Sequence, residues 1–274
     1  MSHWNSFLKR KITKFFLGIP ALLIIFFLFS CYRNQLTGRM GLVLVSDQVM
    51  NDLGDQSYRE VTSKAKLSSN SKDQELVKRV SNRIAKASGE SFAWKFKLIE
   101  DPSANAFCLP GGKIVVYTGI LAPAKNEAAL AFIVGHEVGH AVGRHGAQRL
   151  STTLLAQGAL FAVDTSLYNN PKRDAIMAGL GLGAEVGVLL PYSRSHESEA
   201  DYMGLIYMAR AGYDPKEAPK FWKRMGSGQA KPPEFLSTHP NDVRRAKDLN
   251  QNMAKALEIY AKVSSPYGIG DSLP

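Results

Sequence analysis

The sequence predicts a mixed α+β domain, mostly helical with one small sheet, on three observations. Apolar residues recur at helical spacing over most of residues 73–263; only residues 94–99 and 113–117 have strand-like composition; and Pro110-Gly111-Gly112 supplies a turn before the second of these runs. A chain of 274 residues, 45% hydrophobic and 21% charged, can bury one large or two small cores, which excludes wholesale disorder. The 23 glycines follow no three-residue period, so a collagen-like chain is excluded. A mean hydropathy of -0.14 with one long apolar run excludes a polytopic membrane protein. The formal charge is +10, and part of it lies in Lys9, Arg10, Lys11 and Lys14 ahead of that run. The rest suits an anionic membrane surface or acidic partners; no basic motif interleaved with aromatics points to nucleic acid.

Taken in order, residues 1–30 read as a secretory signal: a basic start, then an apolar run over 15–29 broken only at Gly18-Ile19-Pro20. That run is shorter than the ~20 residues a membrane-crossing helix needs. Ser30-Cys31 at its end resembles the lipobox of bacterial lipoproteins, which implies lipidation of Cys31. Tyr32 after it, in place of Asp, points to the outer membrane. Phe29 departs from the small residue usual there, and an uncleaved signal anchor is the alternative. With Cys31 acylated, Cys108 has no disulfide partner, so the core alone must hold the exported domain. Residues 31–70 read as a tether and N-terminal helical segment. Leu76, Val77, Val80 and Ile84 predict a helix over 73–87 with Gly89 as its stop. Two strands follow with a turn between them, then an Ala-rich buried helix over 127–150. Residues 151–190, rich in Gly, Ala and Leu around a polar insert at 169–174, are core helices, a membrane-facing lobe or a lid. Further helices are expected over 195–211, from Pro215, and over 241–263; residues 264–274 read as a flexible tail.

His136-Glu137-Val138-Gly139-His140 carries the strongest chemistry in the chain. On a helix, residues four apart share one face, so both imidazoles can reach one metal ion with Glu137 beside them. Two neutral nitrogens suit zinc, and a catalytic zinc needs a third protein ligand plus an open position for water. Water there is acidified toward neutrality and Glu137 can take its proton, which is the chemistry of peptide hydrolysis. The bland alternative is a pair of core histidines and an acid on an ordinary helix. Against it, Ala128, Leu130, Ile133, Val134 and Val142 make the helix apolar, and a carboxylate buried among them is costly unless something pairs with it. Gly135, Gly139 and Gly143 each cost ~1 kcal/mol relative to Ala in a helix, and predict close approach of another segment along their stripe.

Two sources of a third ligand can be weighed. A further histidine six residues after His140 is absent, since position 146 is Gly; His145 comes one residue early, and on a continuing helix it turns away from the ligand face, so it reads as a surface or capping residue. In 195–201, Glu197 and Asp201 are four apart and share a face, the first able to bind metal and the second to orient a ligand histidine. The alternative for Glu197, Glu199 and Asp201 is a solvated acidic helix start.

His136-Glu137-Val138-Gly139-His140 followed by Glu197-Ser198-Glu199-Ala200-Asp201 resembles the HExxH and ExEAD pair of the gluzincin metallopeptidases, the family that includes HtpX, BepA, LoiP, the prenyl-protein endopeptidases and the mitochondrial Oma-type protease, and in particular its Oma-like and LoiP-like bacterial lipoproteins. Asn105-Ala106-Phe107-Cys108-Leu109-Pro110-Gly111-Gly112 and Ser237-Thr238-His239-Pro240 with Arg245 extend the resemblance. It implies a zincin-like fold with a small sheet beside the active-site helix, over a peptidase domain of residues 71–263. It implies one zinc per chain held by His136, His140 and Glu197, with Glu137 as general base and Asp201 and Arg245 behind the ligands. Asn105, Ala106 and Phe107 would offer strand-like contacts to an extended substrate. For His239 it leaves two roles open, oxyanion stabiliser or reversible cover of the zinc, beside a plain His-Pro turn capping the last helix. The implied activity is endopeptidase cleavage of misfolded or misassembled proteins in a bacterial envelope, facing the periplasm. An assembly factor or chaperone with a latent zinc site is the alternative.

Overall fold

The computed structural model describes residues 31–168, 171–172, 194–226, 235–236, 239 and 243–273. The signal-like residues 1–30, most of the 169–193 stretch, and Ser237, Thr238 and Pro240 lie outside the described residues.

Strands β1 (Cys31–Arg33) and β2 (Met40–Leu42) form a short antiparallel hairpin. Its turn is organised by Asn34, whose Oδ1 accepts from the Leu36 and Thr37 amides. Helix α1 (Asp47–Lys64) starts at a Ser46 cap. Helix α2 (Ser71–Ser88) starts at Asn70, whose side chain accepts from the Lys72 and Asp73 amides, and stops at Gly89 in the left-handed conformation, φ 78°. Val77, Val80 and Ile84 form its buried stripe, as their spacing predicts.

The sheet has three strands, β3 (Lys95–Ile99), β4 (Ala106–Leu109) and β5 (Lys113–Tyr117), in the order β3-β5-β4. This corrects the two-strand expectation. β3 and β5 run parallel, Lys95 opposite Lys113, so no tight turn can join them. The Pro-Gly-Gly turn instead joins β4 to β5, which are antiparallel with Ala106 opposite Val116. Gly111 and Gly112 take φ of 73° and 83° there.

A one-turn helix, α3 (Leu121–Ala124), leads to α4 (Glu127–Val142), capped by the Asn126 side chain on the Ala129 amide. α4 is buried all round from Glu127 to His140, as a helix central to a core must be. It packs against α2, the sheet, α6 (Arg194–Arg210) and α7 (Glu217–Gly226), and α8 (Val243–Ala261) packs on α6 and α7. Two of the three glycines of the stripe do what their cost implied, and the third, Gly143, ends the helix instead. A Cβ on Gly135 would lie 3.1 Å from Gly204 Cα, and one on Gly139 3.1 Å from Ala200 Cα, so α4 and α6 touch backbone to backbone.

The buried helix expected over 127–150 breaks. Gly143 caps α4, Arg144 adopts a left-handed φ of 54°, and α5 (His145–Ser166) sets off in a new direction. Leu154, Leu155 and Phe161 stand exposed on α5, so the core alternative does not hold for its outer half. Among the described residues, no helix is long and apolar enough to cross a membrane. Residues 264–273 are tied down where a loose tail was expected. The Glu127 amide donates to Asp271 O, Ala128 to Ile269 O, and Leu273 to Lys125 O. The first turn of α4 has amides without helical partners, and this segment accepts from them.

Candidate metal centre

Helical geometry on α4 and the close approach of α6 bring three donors to one point. His136 Nε2 lies 3.1 Å from His140 Nε2 and 3.5 Å from Glu197 Oε2, and His140 Nε2 lies 3.3 Å from Glu197 Oε1. All three side chains are buried. Ligands about 2.0–2.1 Å from one tetrahedral ion lie roughly 3.3 Å apart, which is the spacing found. The chemistry of the donors fits as well. His136 Nδ1 is 3.0 Å from Asp201 Oδ1, a carboxylate that can only accept, so Nδ1 carries the hydrogen and Nε2 presents a bare lone pair. A lone pair of that kind, packed against a second imidazole and a carboxylate, calls for a cation. Burial pushes the His136 imidazole down to about 4 and His140 well below its usual range, so both are neutral and available as ligands near pH 7. Burial alone would raise the Glu197 carboxyl, but hydrogen bonds with His140 and His239 hold it far below the carboxylate range.

Asp201 and Arg245 stand behind the donors. Arg245 Nε and NH2 donate to the two oxygens of Asp201 at 2.7 and 2.8 Å, and Arg245 NH1 reaches Glu197 Oε2 at 2.8 Å. Trp222 Nε1 adds a bond to Asp201 at 3.3 Å, and its ring lies under the guanidinium at 3.8 Å. One arginine therefore braces a ligand carboxylate and the carboxylate that orients a ligand histidine. Removing it would leave both buried acids without their guanidinium counter-charge.

Glu137 is one residue along α4, 2% exposed. Its Oε1 has no hydrogen bond, although His239 Nε2 lies 3.3 Å away. Burial pushes its carboxyl up to about 7, while His239 and the Cys108 backbone amide draw it down and Glu197 adds to the rise. A carboxyl at that value can both take and return a proton near neutrality.

His239 joins the donor group. Its Nδ1 is 3.2 Å from His136 Nε2 and 3.1 Å from Glu197 Oε1, and the ligand atoms of His136, His140, Glu197 and His239 all lie within 4.8 Å of one another. The plain helix-capping alternative does not describe a side chain in this position.

β4 is the edge strand beside this cluster, and here the expected contacts divide. The Tyr117 amide donates to Asn105 O, so by antiparallel alternation Asn105 and Phe107 direct backbone groups to β5 while Ala106 and Cys108 direct theirs away from it. Of the three residues expected to meet substrate, Ala106 alone directs its backbone groups away from β5. The Asn105 side chain accepts from the Ala106 amide at 2.9 Å. Cys31 is exposed at the start of β1.

His145 corrects the surface or capping assignment. It is fully buried, with Nδ1 2.9 Å from His140 Nδ1 and Nε2 3.0 Å from Glu199 Oε2. The helix does not continue through it: the left-handed Arg144 turns the chain and brings the ring back beneath His140. Glu199 is buried too, so the solvated-acid alternative fails for it as for Glu197 and Asp201.

Among curated proteins, the chain is 38% identical over 225 residues to the mitochondrial metalloendopeptidase OMA1 of Arabidopsis thaliana, covering 80% of this chain and 41% of that one. It is 36% identical over 227 residues to the protein of the same name in Schizosaccharomyces pombe, covering 80% and 62%. With the beta-barrel assembly-enhancing protease of Yersinia pestis it shares 29% over 235 residues, covering 82% and 48%. The chain thus spans from 41% to 62% of the length of these relatives. The model of peptidase family M48 matches residues 70–253, a stretch that contains every side chain of the donor group, and the chain belongs to this family of zinc metallopeptidases.

Proposed function

We propose that this chain is a zinc-dependent endopeptidase of a bacterial cell envelope that cleaves misfolded or misassembled proteins. The observation that carries the reading is the tetrahedral spacing of His136, His140 and Glu197 with Glu137 beside them. Zinc, when bound, supplies a Lewis acid that brings the pKa of water toward neutrality and polarises a peptide carbonyl. Glu137 takes a proton at its unpartnered Oε1 and returns it to the departing amine; burial holds its carboxyl near the pH at which both steps are possible. Asp201 and Arg245 keep the His136 ring and the Glu197 carboxylate in place. An extended substrate would lie along β4 beside the donor group.

The compartment is inferred from the N-terminus, since relatives are named for mitochondria as well as for β-barrel assembly. Residues 1–30 would act as a lipoprotein signal and Cys31 as the lipidated first residue, with residues 31–70 linking it to the peptidase domain of 71–263. This tethers the enzyme to the periplasmic side of the outer membrane, where its protein substrates pass.

A second reading, an assembly factor or chaperone with a latent zinc site, is favoured by His239. Its Nδ1 takes the fourth corner of the donor group, and four protein ligands make a closed site. Glu137→Gln separates the two. The endopeptidase reading expects casein degradation by the purified protein to fall by at least about 100-fold and in-cell complementation to fail. Survival of both would establish the chaperone reading.

A further inference from the structure

We propose that Glu199 and His145 form a relay that positions His140 for metal, and that the N-terminal hairpin holds this relay through Thr37 and Arg39. The two ligand histidines are supported differently. His136 meets its carboxylate, Asp201, directly. His140 Nδ1 meets a second imidazole, His145 Nδ1 at 2.9 Å, and only beyond it a carboxylate, Glu199.

The hydrogens along this path are determined by its two ends. If His140 Nε2 is a ligand, its Nδ1 must carry the hydrogen and donate to His145 Nδ1. The hydrogen of a neutral His145 is then on Nε2, which donates to Glu199 Oε2, an oxygen that can only accept. A chain with one allowed direction fixes the tautomer and the tilt of the His140 ring. His145 reaches its place because Arg144 is left-handed, and Gln148 secures that break by donating to Gly143 O at 2.7 Å.

Glu199 is held in turn by the hairpin. Thr37 Oγ1 donates to its Oε1 and Arg39 Nε to its Oε2, and Arg39 NH2 also reaches Gln148 Oε1 at 2.8 Å. These residues precede the 70–253 family match, so the strength of the metal site extends into the segment just after Cys31.

The relay matters only if His140 is a ligand, so it rests on the proposed reading of the site. The test uses the full-length chain purified in detergent, with zinc affinity measured by competition against a chromophoric chelator and the visible spectrum recorded after cobalt substitution. His145→Phe and Glu199→Gln are expected to weaken zinc binding about 10–100-fold and to shift the cobalt bands while the circular dichroism spectrum is retained. Arg39→Gln is expected to act in the same direction by a smaller factor. Should His145→Phe not fold, the isosteric Glu199→Gln carries the test. Lower thermal stability with unchanged zinc affinity and an unchanged cobalt spectrum would make these residues merely structural and overturn the proposal. A wild type that binds no zinc would sink the site itself; wild-type binding with unaltered variants would sink the relay alone.

Discussion

Glu217 illustrates how single residues hold the site from outside it. Its Oε2 accepts from Asn126 Nδ2 at 3.2 Å and its Oε1 from Lys220 Nζ at 2.7 Å, so it ties the first turn of α7 to the residue that caps α4. Burial would raise its carboxyl, but the bonds from Lys220 and Asn126 hold it below the usual value. A depressed folded-state pKa means stability present above the unfolded value and lost as pH falls through the folded one. Glu217→Gln should therefore cost about 1 kcal/mol at pH 7, since Lys220 is largely exposed and the pair is screened. In urea titrations the gap between wild type and variant should close as pH falls below about 4. A gap that does not change with pH would show that charge plays no part. At this scale the sequence was legible wherever a side chain acts within its own helix turn, as at His136, Glu137 and His140. It put His145 at the surface or in a cap, because an arginine gives no sign that it will adopt a left-handed φ and end the helix.

Between elements, the decisive contact is α4 on α6. Gly204 allows it: a Cβ there would lie 2.8 Å from the His136 backbone nitrogen, and neither backbone can move aside cheaply. Gly204→Ala should destabilise the fold by about 1–3 kcal/mol, measured by chemical denaturation, and should weaken zinc binding because Glu197 rides on the displaced helix. Unchanged stability would mean the helices have slack. Gly135 and Gly139 announced this interface by their spacing, although the partner helix could not be named from spacing alone. The sheet was less legible. The four residues of β4 are too few to show a period, and parallel pairing of β3 with β5 depends on contacts across the chain.

For the molecule as a whole, the ends of the chain brace the centre. The hairpin after Cys31 reaches Glu199, and residues 267–273 accept from the Glu127, Ala128 and Asp214 amides while the Tyr267 and Leu273 amides donate to Gly212 O and Lys125 O. Deleting residues 264–274 should lower stability by about 2 kcal/mol, seen as a fall of several degrees in Tm, with zinc still bound. An unaffected Tm would return this segment to the loose tail that its Ser, Pro and Gly content predicts. The composition shows glycines and prolines there but not the orphan amides of a helix far earlier in the chain, at Glu127 and Ala128, so the docking could not be read from it. The most direct measurement is metal content by mass spectrometry on wild type beside His136→Ala and Glu197→Ala. One zinc per chain in the wild type and loss in both variants is the expected result; zinc retained at full stoichiometry in either would contradict a site shared by α4 and α6.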